Sequence, residues 1–322
     1  MLSAENMSVR EVVAKSLPKS VKFLLKATIA TTRKFSDKKF RFRRASSLTA
    51  EDFKFWHENG YFVLDNFFNP ERLERINTLI AQIWQNRAND SNNPLVVDIF
   101  TGTDQARRIL LKDAPDDART IPYKLNDLFL ELEEVRNLIL DLELCQVLND
   151  LLEGEPMVCN SLSFERGSQQ GFHFDTFYMP PVVPNKMLAT WIALEDCSLD
   201  AGPLTYYPGS HKIEPYYFSD GKLNAIQEEM PLCESYIQQQ VEKYNLKPKK
   251  FSAKAGDVFI WHAQLLHGGS EIKNMNLTRK SIVTHYFRIN EHPRDYITIG
   301  NYRHYMKRSH QNVPSSCGEQ RQ

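Results

Sequence analysis

Residues Met157–Pro180 read MVCNSLSFERGSQQGFHFDTFYMP. Upstream of Met157 much of the apolar patterning is helical. From here on it comes in short runs cut by Gly and Pro, and that change of texture decides the fold. Strand-length runs are expected at 157–166, 172–178, 187–195, 203–207, 257–262 and 280–288. Short strands at close spacing predict a β-sandwich or barrel rather than a βαβ sheet. A helical stretch, Leu223 to Asn245, interrupts them and is expected as a lid or as a wall of a pocket. The run 172–178 also carries chemistry. On a strand, His173 and Asp175 would project from one face. They are then either an inert hydrogen-bonded pair or two legs of a metal site, and H-x-D alone does not choose.

Outward from this stretch, the N-terminal half reads as helices around one strand. In LTAEDFKFWHENGYFVLDNFF (Leu48–Phe68), Thr49 can cap a helix with Asp52 in the reciprocal position, and Gly60 ends it. YFVLDNFF follows as a strand. Asn69-Pro70 opens a second helix to about Asn86, with Leu73, Ile76, Ile80, Ile83 and Trp84 on one side. Residues 87–122 are polar and are expected as a long excursion over the surface. One or two helices then run to about Gly154.

The 322 residues are 42% hydrophobic and 25% charged, enough for one large domain with a small arm. Forty basic side chains balance forty acidic ones, so no global charge points to nucleic acid. No apolar run reaches the length of a membrane span. The five cysteines are odd in number and widely spaced, with no C-x-x-C, which fits a reducing, cytoplasmic setting. Residues 1–47 form a basic extension. Within it, Val21–Arg44 interleaves Phe with Lys and Arg and is either a solvated arm or a weak membrane or partner contact. A C-terminal tail is expected from 296 to 322.

Two later segments bear on the metal question. GDVFIWHAQLLHGGS (Gly256–Ser270) offers His262 and His267. His267 is the better ligand, at a strand end beside two glycines that let backbone or ligand approach closely. His262 is a supporting or a packed core residue. With His173 and Asp175, His267 would complete a 2-His-1-carboxylate facial triad, a donor set suited to Fe(II) that leaves positions open. Arg279 opens the strand of NLTRKSIVTHYF (Asn276–Phe287), and its guanidinium can hold a carboxylate bidentately.

WIALEDCSLDAGPLTYYPGSHK (Trp191–Lys212) then completes an ordered set: H-x-D, W-x-A-L-E-D, G-P-L, P-G-S-H, G-D…H…H-G, Arg. Over about residues 48–290 this resembles the phytanoyl-CoA dioxygenase family. The resemblance implies an α+β, mainly β chain: a double-stranded β-helix (jelly-roll, cupin-like) over 48–295, with flanking N-terminal helices and a variable insert at 212–250. It implies Fe(II), 2-oxoglutarate as cosubstrate and O2, with release of succinate and CO2. By the same resemblance His173, Asp175 and His267 ligate iron, Arg279 holds the distal carboxylate of 2-oxoglutarate, Trp191 lines the cosubstrate pocket, and Ser281 and Lys124 are further cosubstrate contacts. His211, in Pro208-Gly209-Ser210-His211, is assigned to a structural turn. Phe177, Tyr178, Met179, Tyr206 and Tyr207 are the substrate-facing candidates, pointing to a hydrophobic, lipid-like or natural-product small molecule. Because Asp175 is present, hydroxylation is expected over halogenation, with desaturation or ring formation as the alternative oxidations. The competing readings are a catalytically silent binding module and a cupin-type metal hydrolase or isomerase.

Overall fold

Thr49 caps the first described helix reciprocally, its hydroxyl accepting from the Asp52 amide while the Asp52 carboxylate accepts from the Thr49 amide at 2.8 Å. The computed structural model describes residues 48–89 and 91–314. The basic arm at 1–47 and the last residues from 315 lie outside the described residues. Helix α1 (Ala50–Asn59) stops at Gly60, which takes φ +74, and a Cβ there would lie 2.3 Å from the His211 ring. Strand β1 (Tyr61–Leu64) and helix α2 (Pro70–Asn86, capped by Asn69) follow, with Leu73, Ile76 and Trp84 buried.

The segment 87–122 is not a surface excursion. It contains β2 (Val96–Ile99), buried at every position, and β3 (Arg107–Leu110); β2 lies between β3 and β4 (Lys124–Asn126). Four apolar-to-mixed residues in a polar context give little periodicity to read, and the partner strand that buries them is remote. Helices α3 (Glu133–Ile139) and α4 (Leu142–Leu152) lead into β5 (Pro156–Phe164). Then come β6 (Met187–Ala193), β7 (Leu204–Tyr206), α5 (Met230–Lys243), β8 (Lys249–Lys250), β9 (Val258–His262), β10 (His267–Gly269) and β11 (Ser281–Arg288). The expected tail instead continues the fold: β12 (Tyr296–Gly300) and β13 (Arg303–Met306) form a hairpin, and β13 runs parallel to β5 with His304 opposite Met157.

The large sheet runs β1-β9-β6-β11-β5-β4-β2-β3, with the β12–β13 hairpin added at β5. A second sheet runs β10-β7-β8. The two sheets enclose a core in which Trp191, Phe259 and Trp261 of the large sheet meet Leu204 and Tyr206 of the small one. This is the mainly antiparallel double-stranded β-helix.

Two further expectations are corrected. Residues 172–178 are not a strand: His173 makes an isolated bridge to His267, and a 3-10 turn runs Asp175–Phe177. Nor does 212–250 line the central cavity. Cys233 and Ile237 of α5 pack with Phe174, Phe177, Phe218 and Leu266, so the insert buttresses the outer side of the His173–Asp175 loop.

Candidate metal centre

The edge of the small sheet assembles the centre. His173 and His267 exchange backbone hydrogen bonds, His173 N–H donating to the His267 carbonyl at 2.9 Å and the reverse bond measuring 3.2 Å. Gly268 and Gly269 permit this, because a Cβ on either would run into the 168–171 loop, 2.9 Å from the Gln170 carbonyl and 2.5 Å from the Ser168 hydroxyl. Asp175 is held by its own amide on the Ala263 carbonyl at 3.0 Å. Its Oδ1 lies 3.7 Å from His173 Nε2 and 3.6 Å from His267 Nε2, and the three ligand atoms lie within 4.8 Å of one another.

The protonation of these groups follows from their partners. His173 Nδ1 lies 2.8 Å from the Gly171 carbonyl and His267 Nδ1 lies 2.9 Å from the Leu265 carbonyl. A carbonyl only accepts, so both rings carry hydrogen on Nδ1 and turn Nε2 inward. Burial, together with the neighbouring His267, pushes the His173 imidazolium down to about 4, so the ring is a neutral donor at ordinary pH. Burial alone would raise the Asp175 carboxyl. The imidazoles of His267, His285 and His173 outweigh it and hold it well below the usual range. Two imidazole nitrogens and one carboxylate oxygen, all buried, fit a divalent first-row metal such as Fe(II).

Two residues at this centre escaped the sequence reading. Trp261 Nε1 donates to Asp175 Oδ2 at 2.8 Å, fixing the carboxylate oxygen that faces away from the histidine pair. His285 on β11 places Nε2 3.5 Å from Asp175 Oδ1, and its Nδ1 is 2.6 Å from Asn160 Oδ1. Extending the period-two face from Ser281 reaches Val283 and His285, so His285 had a signal. Trp261 had none, since the same aromatic reads equally as core.

Register carries the cavity floor across the large sheet. Asn126 pairs with Leu162, Leu162 with Val283, and Val283 with Trp191. A cavity of about 330 Å³ opens over this row and reaches the three ligand residues. Trp191 lines it; Arg279 is not itself among the lining residues, and its guanidinium lies over the Trp191 ring at 5.5 Å. Arg279 is 3% exposed, donates through Nη1 to the Gly202 carbonyl at 3.1 Å, and leaves Nε without a partner. Among the described residues no carboxylate lies within ion-pair distance of it, and burial pushes its guanidinium down to about 10.

The remaining candidates divide. Lys124, Tyr178 and Met179 line the cavity, and Lys124 Nζ lies 3.4 Å from Asp98. Ser281 is buried with its hydroxyl 3.5 Å from the Arg279 carbonyl, and it does not line the cavity. Phe177 and Tyr206 do not line it either. Phe177 packs on Phe174 and Phe218 towards α5, and Tyr206 packs edge-on to Tyr61 at 4.8 Å. An aromatic next to a ligand in sequence points the opposite way once the loop takes a 3-10 turn, and Tyr206 alternates into the core. Tyr207 packs partly buried in the cluster under α5. His262 accepts from the Gln264 amide at 3.0 Å and sits 5.5 Å from the His211 ring, while His211 Nε2 lies 3.2 Å from the His57 carbonyl. Both are packed structural histidines away from the three ligands.

Fold and site together define a non-haem iron dioxygenase that takes 2-oxoglutarate as its cosubstrate. More narrowly, the sequence profile of phytanoyl-CoA dioxygenase matches residues 56–281, and the chain belongs to that family. It is 23% identical over 276 residues to the peroxisomal phytanoyl-CoA dioxygenase of Bos taurus, covering 82% of this chain and 76% of that protein. The Homo sapiens protein of the same name is 22% identical over 250 residues, covering 74% and 68%. Similar solved structures include the α-ketoglutarate-dependent carbocyclase SnoK from nogalamycin biosynthesis, with a TM-score of 0.56 and 16% identity, covering 75% of this chain and 85% of that one. EctD from S. alaskensis with 2-oxoglutarate and 5-hydroxyectoine superposes with a TM-score of 0.54 at 15% identity, covering 84% and 88%. At such identities the solved structures speak for the fold. Among the described residues no helix is long and apolar enough to cross a membrane.

Proposed function

We propose that this chain hydroxylates a C–H bond of a small molecule, with iron held by His173, Asp175 and His267 and the distal carboxylate of 2-oxoglutarate held by Arg279 beside Trp191. The observation that carries this reading is the buried Arg279 guanidinium with no carboxylate partner among the described residues. An uncompensated buried cation is costly unless a ligand brings the counter-charge. A metal hydrolase or isomerase on the same three ligands has no use for that arginine, and neither has a silent binding module. Asp175 fills the position that a halogenating enzyme would leave to chloride.

Bound iron would supply O2 activation coupled to decarboxylation of 2-oxoglutarate to succinate and CO2. The chain supplies the rest. The carbonyls of Gly171 and Leu265 keep the histidine protons on Nδ1, and the Trp261 indole holds the Asp175 carboxylate in one orientation. Trp191 and Leu204 wall the cosubstrate side with apolar surface. Lys124 and Ser281 are taken as auxiliary cosubstrate contacts, Lys124 directly and Ser281 through the Arg279 backbone. Tyr178, 57% exposed and lining the cavity, is the substrate-side aromatic that the geometry favours. The relatives are named for phytanoyl-CoA; at 22–23% identity that substrate is not carried over. The four cysteines among the described residues are free and buried, which suits a reducing, cytoplasmic setting.

The test is a 2-oxoglutarate titration in the presence of Mn(II), followed by succinate release with Fe(II) and O2. Binding by the wild type and its loss in Arg279→Gln are expected. A wild-type protein that loads metal but takes up no 2-oxoglutarate would sink the oxygenase reading.

A further inference from the structure

Away from the metal ligands and from Arg279, the cavity wall carries a second guanidinium, Arg108, to which neither the iron nor the cosubstrate is assigned. Asp98 on β2 accepts from Arg108 on β3 twice, at 2.6 Å from Nε and 2.8 Å from Nη2, and Lys124 on β4 stands 3.4 Å from the same carboxylate. One anion serves two cations, so this trio keeps a net positive charge. The Arg108 and Lys124 side chains line the cavity, 32% and 30% exposed. Among the described lining residues the sole carboxylate is Asp175, a metal ligand. Arg108 Nη1 makes no hydrogen bond among the described residues, because the bidentate pair uses its other two nitrogens.

A second, independent feature stands beside it. Asn126 is 1% exposed, lines the same cavity, and its Oδ1 has no hydrogen-bond partner. A buried amide oxygen left unpaired costs the desolvation of that oxygen, so the position calls for a donor. Gln311 closes this end. It comes from the segment after β13, which Arg308 ties down with bonds to Asp127 Oδ2 at 2.7 Å and the Cys159 carbonyl at 2.8 Å. The two carboxylates of 2-oxoglutarate are already accounted for, one at the metal and one at Arg279. Asp98 already pairs with two nitrogens of Arg108, but an apolar substrate would leave the remaining Nη1 donor and the Asn126 oxygen without partners.

We propose that Arg108, Asn126 and Gln311 form a substrate subsite for a small organic acid, its carboxylate on Arg108 and a hydroxyl or amino hydrogen on Asn126 Oδ1. This rests on the dioxygenase reading above and names the substrate class for it. The acid group anchors the molecule, and the carbon to be oxidised is turned to the His173–Asp175–His267 face.

The experiment uses the full chain loaded with Mn(II) and 2-oxoglutarate and a panel of C4–C8 hydroxy and amino acids, each beside its carboxamide. Calorimetric binding and stimulated succinate release with Fe(II) are the readouts. At least one acid should bind, and its amide should bind about tenfold or more weakly, the ratio expected for one charge-assisted hydrogen bond. Arg108→Met should lose the acid by a similar factor while Arg108→Lys keeps part of it. Gln311→Glu, on a half-buried strap where the core is untouched, should repel the acid, and Gln311→Lys should not. The proposal fails if acids and amides bind alike, or if no acid binds a protein that does bind 2-oxoglutarate. It also fails if Arg108→Met weakens 2-oxoglutarate in place of the acid, which would put Arg108 in the cosubstrate pocket. A wild type that takes up no 2-oxoglutarate overturns the dioxygenase reading, and this proposal with it.

Discussion

His173 and His267 hold each other's backbone: each donates its amide hydrogen to the other's carbonyl, at 2.9 and 3.2 Å. The two imidazoles, remote in sequence, are thereby set by a strand-like bridge, and their Nδ1 hydrogens are taken by carbonyls two residues away on the same segments. The placing of the two imidazoles at this centre is a property of the backbone.

That arrangement makes Asp175 the sensitive member. Asp175→Ala should remove the single anionic donor and abolish metal-dependent succinate release. Trp261→Phe keeps the ring but deletes the 2.8 Å bond to Oδ2. Loss of such a supporting bond typically costs about 10–100-fold in metal affinity. Titration with Mn(II), read by paramagnetic relaxation, distinguishes the two variants; equal affinity of Trp261→Phe and wild type would remove the indole from this role.

Arg279→Gln tests the cosubstrate. The side chain stays polar and close in size, while the buried charge is lost. Removing a charge-assisted hydrogen bond costs about 1.5–3 kcal/mol, so 2-oxoglutarate affinity should fall by roughly one to two orders of magnitude with metal affinity retained. An unchanged 2-oxoglutarate affinity would free Arg279 from the site.

Phe177 and the insert α5 should act on the ligand loop and not on substrate choice. Phe177→Ala leaves a cavity among Phe174, Phe218 and the helix, and such truncations typically cost about 3–5 kcal/mol. Urea unfolding should show the loss, and metal affinity should weaken as the loop loosens. A change in substrate preference with stability intact would mean that Phe177 reaches the cavity after all.

The packed histidines predict acid sensitivity. Burial, aided by His211 and Lys186, pushes His262 down to about 3 from an ordinary value near 6.5. The unfolded chain therefore binds the extra proton first, and the stabilisation present above pH 6.5 is lost as pH falls from 6.5 towards 3. The limiting slope is about 1.4 kcal/mol per pH unit for one group. His262→Asn, whose amide oxygen can still accept from Gln264, should flatten the stability–pH curve over that window. Parallel curves for the two proteins would exclude His262 as the source.

Much of this molecule was legible in the chain. The Thr49–Asp52 cap, the Asn69-Pro70 start and the Gly60 stop rest on interactions within a few residues, which sequence records directly, and β1, β5, β6, β7, β9 and β11 fall on runs that read as strands. The H-x-D pair, His267 and Arg279 were legible through their order along the chain. Where period-two logic was applied to 172–178, it gave the convergence of His173 and Asp175 for the wrong reason: a bridge and a 3-10 turn bring them together, and the same turn sends Phe177 away from the cavity.

The rest belongs to tertiary structure. The Asp98–Arg108–Lys124 wall exists because β2, β3 and β4 pair at the end of a sheet whose short strands carry little pattern of their own. Trp261 and His285 meet Asp175 only when β9 and β11 come to lie on either side of β6. Residue type and order along the chain pointed to His173, Asp175 and His267 as a metal-ligand set and to Arg279 as a carboxylate holder. Closure of the two sheets decided which lone pairs face inward, which aromatics are core, and which cation is left facing the cavity, because those depend on contacts between segments that no local signal encodes.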